Sequence, residues 1–312
     1  MQGKETKNRR EEAMSFEGFY TCVRIDIQHR LGEDAEVTVN STLKNNGIRL
    51  YGITIKEKGC NLVPTIYLED FYERYLEGED ISALEREILY IYREKPAMFF
   101  DTDSIKDWQN VRERIVCRLI NLEMNREKLE EIPYFPRLDL AVTFSVIVEA
   151  GELPCDGSFT IHNSHMEMWG ITADELYAEA VGNTRRLEKP EIISLEDALL
   201  ESIGEDAVSE EEQRVEPVMY VMTNEKRVYG ASSLLFTDML QELSDRTGSD
   251  LYILPSSIHE LILIPEKCIK GCGGQEGLEQ MVKTVNSTQI QPQEILSDKV
   301  YKFIRETGEI TM

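Results

Sequence analysis

Two histidines and an acid fall within six residues at His162, His165 and Glu167. Imidazole and carboxylate ligands suit zinc or iron. A three-residue spacing brings two imidazoles to one side only where the backbone is already helical. Phe159 and Ile161 read as a strand ending there, so the plainer reading is a polar turn whose Asn163 and Ser164 satisfy local backbone donors. As a binding surface, the same stretch offers Asn163 and Trp169.

A second group, Ser257, His259 and Glu260, has the residue types of a nucleophile, a base and an acid. Residues two apart in a strand face the same side, so Ser257 and His259 could meet while Glu260 points away. A hydrolytic triad also needs an orienting acid and an oxyanion site, which the sequence does not supply. A hairpin turn is the plainer reading, with Ser257 and His259 kept as candidates for binding.

Gly271, Gly273, Gly274 and Gly277 lie between a strand and a helix, the setting of a phosphate loop. Their spacing does not match a dinucleotide fingerprint, and Lys270 precedes the glycines instead of opening the helix. Cys268 and Cys272, four apart, have no ligand spacing characteristic of zinc. Paired acids cannot be singled out among 58 carboxylates. No catalytic residue is nominated, and neither a metal nor a cofactor is expected.

The elements that must position these residues are easier to read. The clearest stretch is Ser158–Thr184, where a strand and a Trp169-Gly170 punctuation precede a helix. Thr172 and Glu175 form a capping box, and Ala173, Leu176, Tyr177, Ala180 and Val181 line one stripe. Upstream, Phe16, Phe19, Tyr20, Val23, Ile27 and Leu31 predict a helix ended by Gly32. Val37–Ile55 predicts a hairpin turning at Asn46-Gly47, with a bulge at Gly52. Helices follow over Leu68–Leu76 and Ile81–Ile91. Their tyrosines, with Tyr67, Tyr90 and Tyr92 beside them, are read as core or interface. A longer helix is expected from Asp103 towards Leu129, with Ile105, Trp108, Val111, Ile115 and Leu119 inward.

After Pro133 and Pro136, the run Leu138–Val148 reads as a central strand covered on both sides and paired with Ser158–His162. Val218–Met222 and Val228–Leu234 are expected to be strands. TIHNSHMEMWGIT and YVMTNEKRVYGAS suggest an internal echo, though convergent strand-turn-helix punctuation is the plainer explanation. Leu251–Leu254 and Ile258–Ile264 predict a hairpin, followed by a helix at Leu278–Val285 and a strand near Val300–Ile304.

Composition sets the outer bounds. The chain has 312 residues, of which 41% are hydrophobic, enough for a substantial core and about two domains. Six scattered cysteines read as reduced thiols. There is no apolar run of membrane-spanning length and no secretory signal, so a cytoplasmic location is expected. The net charge of −24 opposes nucleic-acid binding. Glu188–Glu216 holds eleven acids against Lys189 and Arg214, a net −9, and is read as a solvated acidic linker. Such a field would also attract basic, DNA-binding proteins to an acidic decoy.

The chain resembles a family of uncharacterised bacterial proteins, a domain of unknown function found mainly in gut anaerobes. The resemblance runs from Phe16 onward. It rests on KNNG (Lys44–Gly47), PTIYLEDFYERY (Pro64–Tyr75), CRLINLEMNREKLEEIP (Cys117–Pro133), LDLAV (Leu138–Val142), MEMWGITADELYAEAVGNT (Met166–Thr184) and YILPSSIHELILIP (Tyr252–Pro265). The WGITADELYAEAVGN segment is also similar to one in a second poorly understood bacterial cytoplasmic family. Neither resemblance implies an activity, a cofactor or a catalytic residue.

These readings converge on an α+β protein. A loose tail (1–14) leads into a helix-rich N-terminal domain with a hairpin (15–133). A C-terminal domain (134–312) follows, with a mixed or antiparallel sheet packed against amphipathic helices and the acidic linker at 188–216. The expected function is a non-enzymatic binding or assembly protein whose partner is another protein. The alternatives are a hydrolase using His162, His165 and nearby acids, with or without a metal, and the acidic decoy.

Overall fold

A computed structural model describes residues 13–312 except 62, 95–102, 104, 149–156, 204–217, 256 and 270–273. The tail up to residue 12, the acidic stretch from 204, Cys155, Gly271, Cys272 and Gly273 lie outside the described residues. The fold is α+β, in two compact units. The first takes its residues from 1–44 and 48–102, the second from 45–47 and 103–312.

In the first unit, helix α1 (Phe16–Leu31) begins where Ser15 Oγ accepts the Gly18 amide and ends at Gly32 in left-handed backbone, φ 69°. Phe19, Val23 and Ile27, spaced by four, are fully buried. Each contributes about 1.5–3 kcal/mol by leaving water. Strands β1 (Ala35–Leu43), β2 (Arg49–Glu57) and β3 (Thr65–Tyr67) form an antiparallel sheet in that order. Helices α2 (Glu69–Glu77) and α3 (Ile81–Glu94) complete the unit, with Leu84 and Ile88 meeting Phe19 and Val23 in its core. Among the tyrosines, Tyr72 and Tyr75 pack on Phe19, Tyr92 is buried and Tyr90 is exposed.

Gly52 is not a bulge: it pairs in regular register with Asn40. A Cβ there would lie 2.1 Å from Thr65 Cγ2, so glycine lets β3 close on β2.

In the second unit, Asn46 is buried at φ 60°. Its amide donates to Asn125 Oδ1, and its side chain donates to the carbonyls of Pro292 and Ile295. A short helix α4 (Trp108–Val111) precedes strand β4 (Ile115–Asn121). The helix expected to run from Asp103 towards Leu129 is therefore corrected: its middle is a strand, and helix resumes only at α5 (Arg126–Leu129). Val116, Cys117 and Ile120 lie between the helically spaced positions and are all buried. A surface helix would have exposed them, whereas a strand covered on both faces buries the whole run.

Strand β6 (Leu140–Val148) pairs antiparallel with β4 on one side and with β5 (Phe135–Arg137) and β7 (Gly157–Thr160) on the other. Helices α6 (Asn163–Trp169) and α7 (Ala173–Glu188) follow. The turn expected at Asn163-Ser164 is thus the first turn of a helix. Thr172 and Glu175 make the predicted capping box, and Leu176 and Ala180 are fully buried. Thr184 Oγ1 accepts the Cys117 amide at 2.8 Å, so α7 covers an edge of β4 that no strand described here pairs.

A second antiparallel sheet has the order β13-β12-β10-β11-β9-β8. Its strands are β8 (Pro190–Ser194), β9 (Tyr220–Asn224), β10 (Leu251–Leu254), β11 (Leu261–Pro265), β12 (Tyr301–Ile304) and β13 (Glu309–Thr311). Within the stretch read as an acidic linker, β8 pairs with β9 and helix α8 (Leu195–Ile203) follows. Ile192 and Ile193 have the β-branched apolar character a strand requires, which the surrounding acids hide. Val228–Leu234 is not a strand: a turn leads into a 3-10 segment at Gly230–Leu235. Helices α9 (Thr237–Thr247) and α10 (Gly274–Thr288) finish the unit.

Candidate functional site

Most of the predicted site residues gather at two places in the second unit, with different construction. At the first, His162 precedes α6, and its backbone amide donates to His165 Nδ1 at 2.9 Å. The His165 ring stacks on Trp169 at 5.6 Å and 21° and meets Phe159 edge-on. Trp169 donates Nε1–H to the Ile105 carbonyl at 2.9 Å. Burial, and then the nearby His162, lower the His165 pKa. An Nδ1 occupied by a backbone donor is not free to ligate a metal.

His162 Nδ1 lies 3.9 Å from Glu131, Glu167 is exposed, and Asn163 Nδ2 donates to the Glu130 carbonyl. The helix start accounts for these contacts: His165 caps α6 and Trp169 anchors it. Among the described residues, no group of three or more His, Cys, Asp and Glu side chains is placed to hold a metal ion.

The second place begins inside the unit. Arg118, on β4, pairs with Glu188 at the end of α7, and both are more than nine-tenths buried. The same Arg118 nitrogen donates to the Cys117 carbonyl at 3.1 Å, and Ser232 Oγ donates to the other Glu188 oxygen at 3.3 Å. Burial raises the Glu188 pKa, while Arg118 opposes that shift. Removing two charges from water is costly, and the cost is recovered only by good pairing and added hydrogen bonds. Arg118 Nε is buried without a hydrogen-bond partner. Burial also pushes the Cys117 thiol up to about 12, which keeps it unreactive.

Above this pair lies Tyr229, with its ring centre 4.7 Å from the Arg118 guanidinium, within cation–π range. Its backbone is left-handed, φ 56°. For a non-glycine residue that conformation costs about 1–3 kcal/mol and persists only where its surroundings enforce it. The enforcing contacts are specific. Buried Asn224 clamps the turn, donating to the Val228 carbonyl at 2.8 Å and accepting the Val228 amide at 3.3 Å. The Tyr229 amide donates to His259 Nδ1 at 3.2 Å. A Cβ on Gly230 would lie 2.6 Å from the His259 carbonyl and 2.8 Å from the Asn224 nitrogen, so only glycine lets the turn approach so closely. The Tyr229 and His259 rings lie 5.6 Å apart. Tyr229 is 38% exposed and neighbouring Val228 48%.

The predicted Ser257–His259 pair takes a different form. The His259 backbone amide donates to Ser257 Oγ at 3.0 Å. The imidazole Nδ1 takes the Tyr229 amide instead, and Nε2 stands 3.6 Å from Glu294. Ser257 is buried in a bridge to Ile295, and Glu260 is exposed. The neighbours of His259 and those of His162 and His165 form separate sets.

Sequence reasoning missed Arg118, Glu188 and Ser232. The echo between the Trp169-Gly170 and Tyr229-Gly230 stretches drew attention to Asn224 and Tyr229. The two glycines nevertheless do different work: Gly170 caps a helix at φ 66°, whereas Gly230 permits close approach. A third feature is an open depression of about 750 Å³ lined by Asp245, Asp250, Glu266, Lys267 and Arg305; Asp245 pairs with Arg305, and Asp250 and Glu266 pair with Lys302.

A family described as a family of unknown function (DUF5688) matches residues 16–305. The chain belongs to that family. No curated protein and no solved structure matches it.

Proposed function

We propose that this DUF5688 member is a cytoplasmic, non-enzymatic binding or assembly protein that engages another protein through Tyr229, with Val228 and His259 beside it. The exposed Tyr229 ring carries this reading: it is fixed in a strained backbone and seated on a buried Arg118–Glu188 pair. Tyrosine gives a partner a large amphipathic area with few torsions to freeze, and such rings recur at the energetic centres of protein interfaces. A ring already immobilised loses little entropy on binding. The net charge of −24 adds attraction for a basic partner surface.

Among the described residues, no helix is long and apolar enough to cross a membrane. The hydrolase reading would use His162 and His165, whose contacts hold α6 in place. The test is quantitative capture from the native cytoplasm with wild-type protein, Tyr229→Ala and His165→Ala, each checked for folding. The proposal expects at least a tenfold loss of the captured partner for Tyr229→Ala only. Equal capture by the folded Tyr229→Ala variant would overturn it.

A further inference from the structure

The first unit carries a separate feature in β1. Lys44 donates its amide to the Ile48 carbonyl at 2.7 Å, and the ladder pairs Thr42 with Leu50, Asn40 with Gly52 and Thr38 with Thr54. Hydrogen-bonded pairs alternate along an antiparallel ladder, so the even-numbered residues of β1 direct their backbone groups to β2. The odd-numbered residues direct theirs away from the sheet. Gln28 confirms this polarity: its side chain donates to the Ala35 carbonyl at 2.9 Å and accepts the Val37 amide at 2.9 Å. This α1 residue closes the beginning of the edge. Beyond it, Val39, Ser41 and Leu43 present amides and carbonyls outward, and no other described residue is recorded bonding to them.

Natural edges are blunted by proline, lysine, a bulge or a covering element. Past the Gln28 clip, Val39–Leu43 has none of these: it is free of proline and charge, and its register with β2 is regular. Asn40, Ser41 and Thr42 are exposed.

We propose that this edge is a self-association site, at which β1 of a second copy pairs antiparallel about a two-fold axis at Ser41. The Gln28 clip and the sequence select that register. Centring on Val39 would require the Ala35 carbonyl and Val37 amide, which Gln28 occupies; centring on Asn40 would require the Val37 amide. Centring on Ser41 uses only groups that no described residue occupies and keeps every opposed residue inside β1, which ends at Leu43: Val39 with Leu43 of the second copy, Ser41 with Ser41, and Leu43 with Val39. Apolar Val39 then faces apolar Leu43 on one side of the sheet, and Asn40 faces Thr42 on the other. No charged side chain opposes its like across these pairs, although each copy carries −24. Repulsion between whole chains makes the dimer stronger as salt is raised. This inference is independent of the Tyr229 site.

Light scattering on the full chain over a range of concentrations and salt tests the proposal, together with mild oxidation of single-cysteine additions. The expected mass rises towards twice the monomer with concentration, and more readily at high salt. Val39→Pro and Ser41→Pro remove only outward amides, so folded variants remain monomeric. Directly opposed hydrogen-bonded residues sit about 5.5 Å apart, within reach of a disulfide. Ser41→Cys therefore crosslinks above the wild-type background and Asn40→Cys much less. A monomer under every condition, or crosslinking no greater at 41 than at 40, would overturn the inference.

Discussion

The two histidine–aromatic groups of the second unit use similar residues in opposite ways. At His162, His165 and Trp169 the side chains serve the helix that carries them, through contacts at three- and four-residue separations. Trp169 adds one anchoring bond to Ile105. At Tyr229 and His259, residues from β4, the end of α7, the β9 turn and the β10–β11 loop converge, and a buried ion pair supports an exposed ring. Proximity in sequence made the first group look like chemistry. Proximity in space builds the second, where structural cost has been concentrated beneath a surface residue.

The largest effect that would sharpen this contrast comes from Arg118→Met. Removing the cation strands Glu188 in the interior, and denaturant unfolding should show a loss of about 3–5 kcal/mol. Adding Glu188→Leu should recover most of it, because an apolar pair of similar volume carries no uncompensated charge. A double variant as unstable as the single would mean that Arg118 acts through packing alone.

The pH dependence follows from the same pair. Glu188 has a folded-state pKa raised by burial, so its protonation increasingly favours the folded state as pH falls through that value. Without Arg118 the carboxylate is driven further the same way. The deficit of Arg118→Met should therefore be largest near neutrality and shrink as pH approaches the carboxylate range. A deficit constant with pH would contradict the assignment of a charged Glu188.

His165→Ala should cost about 1 kcal/mol, the ordinary scale of a lost helix cap and ring contact. It should leave partner capture intact, and a loss of capture with the fold preserved would move the binding site to α6. The smallest effect belongs to Arg185→Ala. Its pairing with Asp238 at 2.5 Å is about half exposed on both sides, so thermal unfolding should register no more than about 0.2–1 kcal/mol.

What the sequence made legible follows the same division. The α7 capping box, the Leu176–Ala180 stripe, the hairpin at Asn46-Gly47 and the β10–β11 hairpin depend on residues near one another in the chain, where periodicity and turn chemistry operate directly. The β4 strand was hidden because Ile115 and Leu119 fit helical spacing while Val116 and Ile120 fill the intervening positions. A run buried on both faces has no period to read. Arg118 and Glu188, 70 residues apart, look like ordinary charges until β4 and α7 meet. Tyr229 left a trace only through Asn224 and Gly230, the residues its unusual backbone requires.

The most direct test of the central claim replaces Tyr229 with a photo-crosslinking amino acid in the full chain and, separately, does the same at exposed Met168 on α6. Irradiation in an extract of the native cells should give a discrete covalent adduct with another protein from position 229 and little from position 168. The absence of an adduct at 229, or equal adducts at both, would contradict the assignment of Tyr229 as the contact.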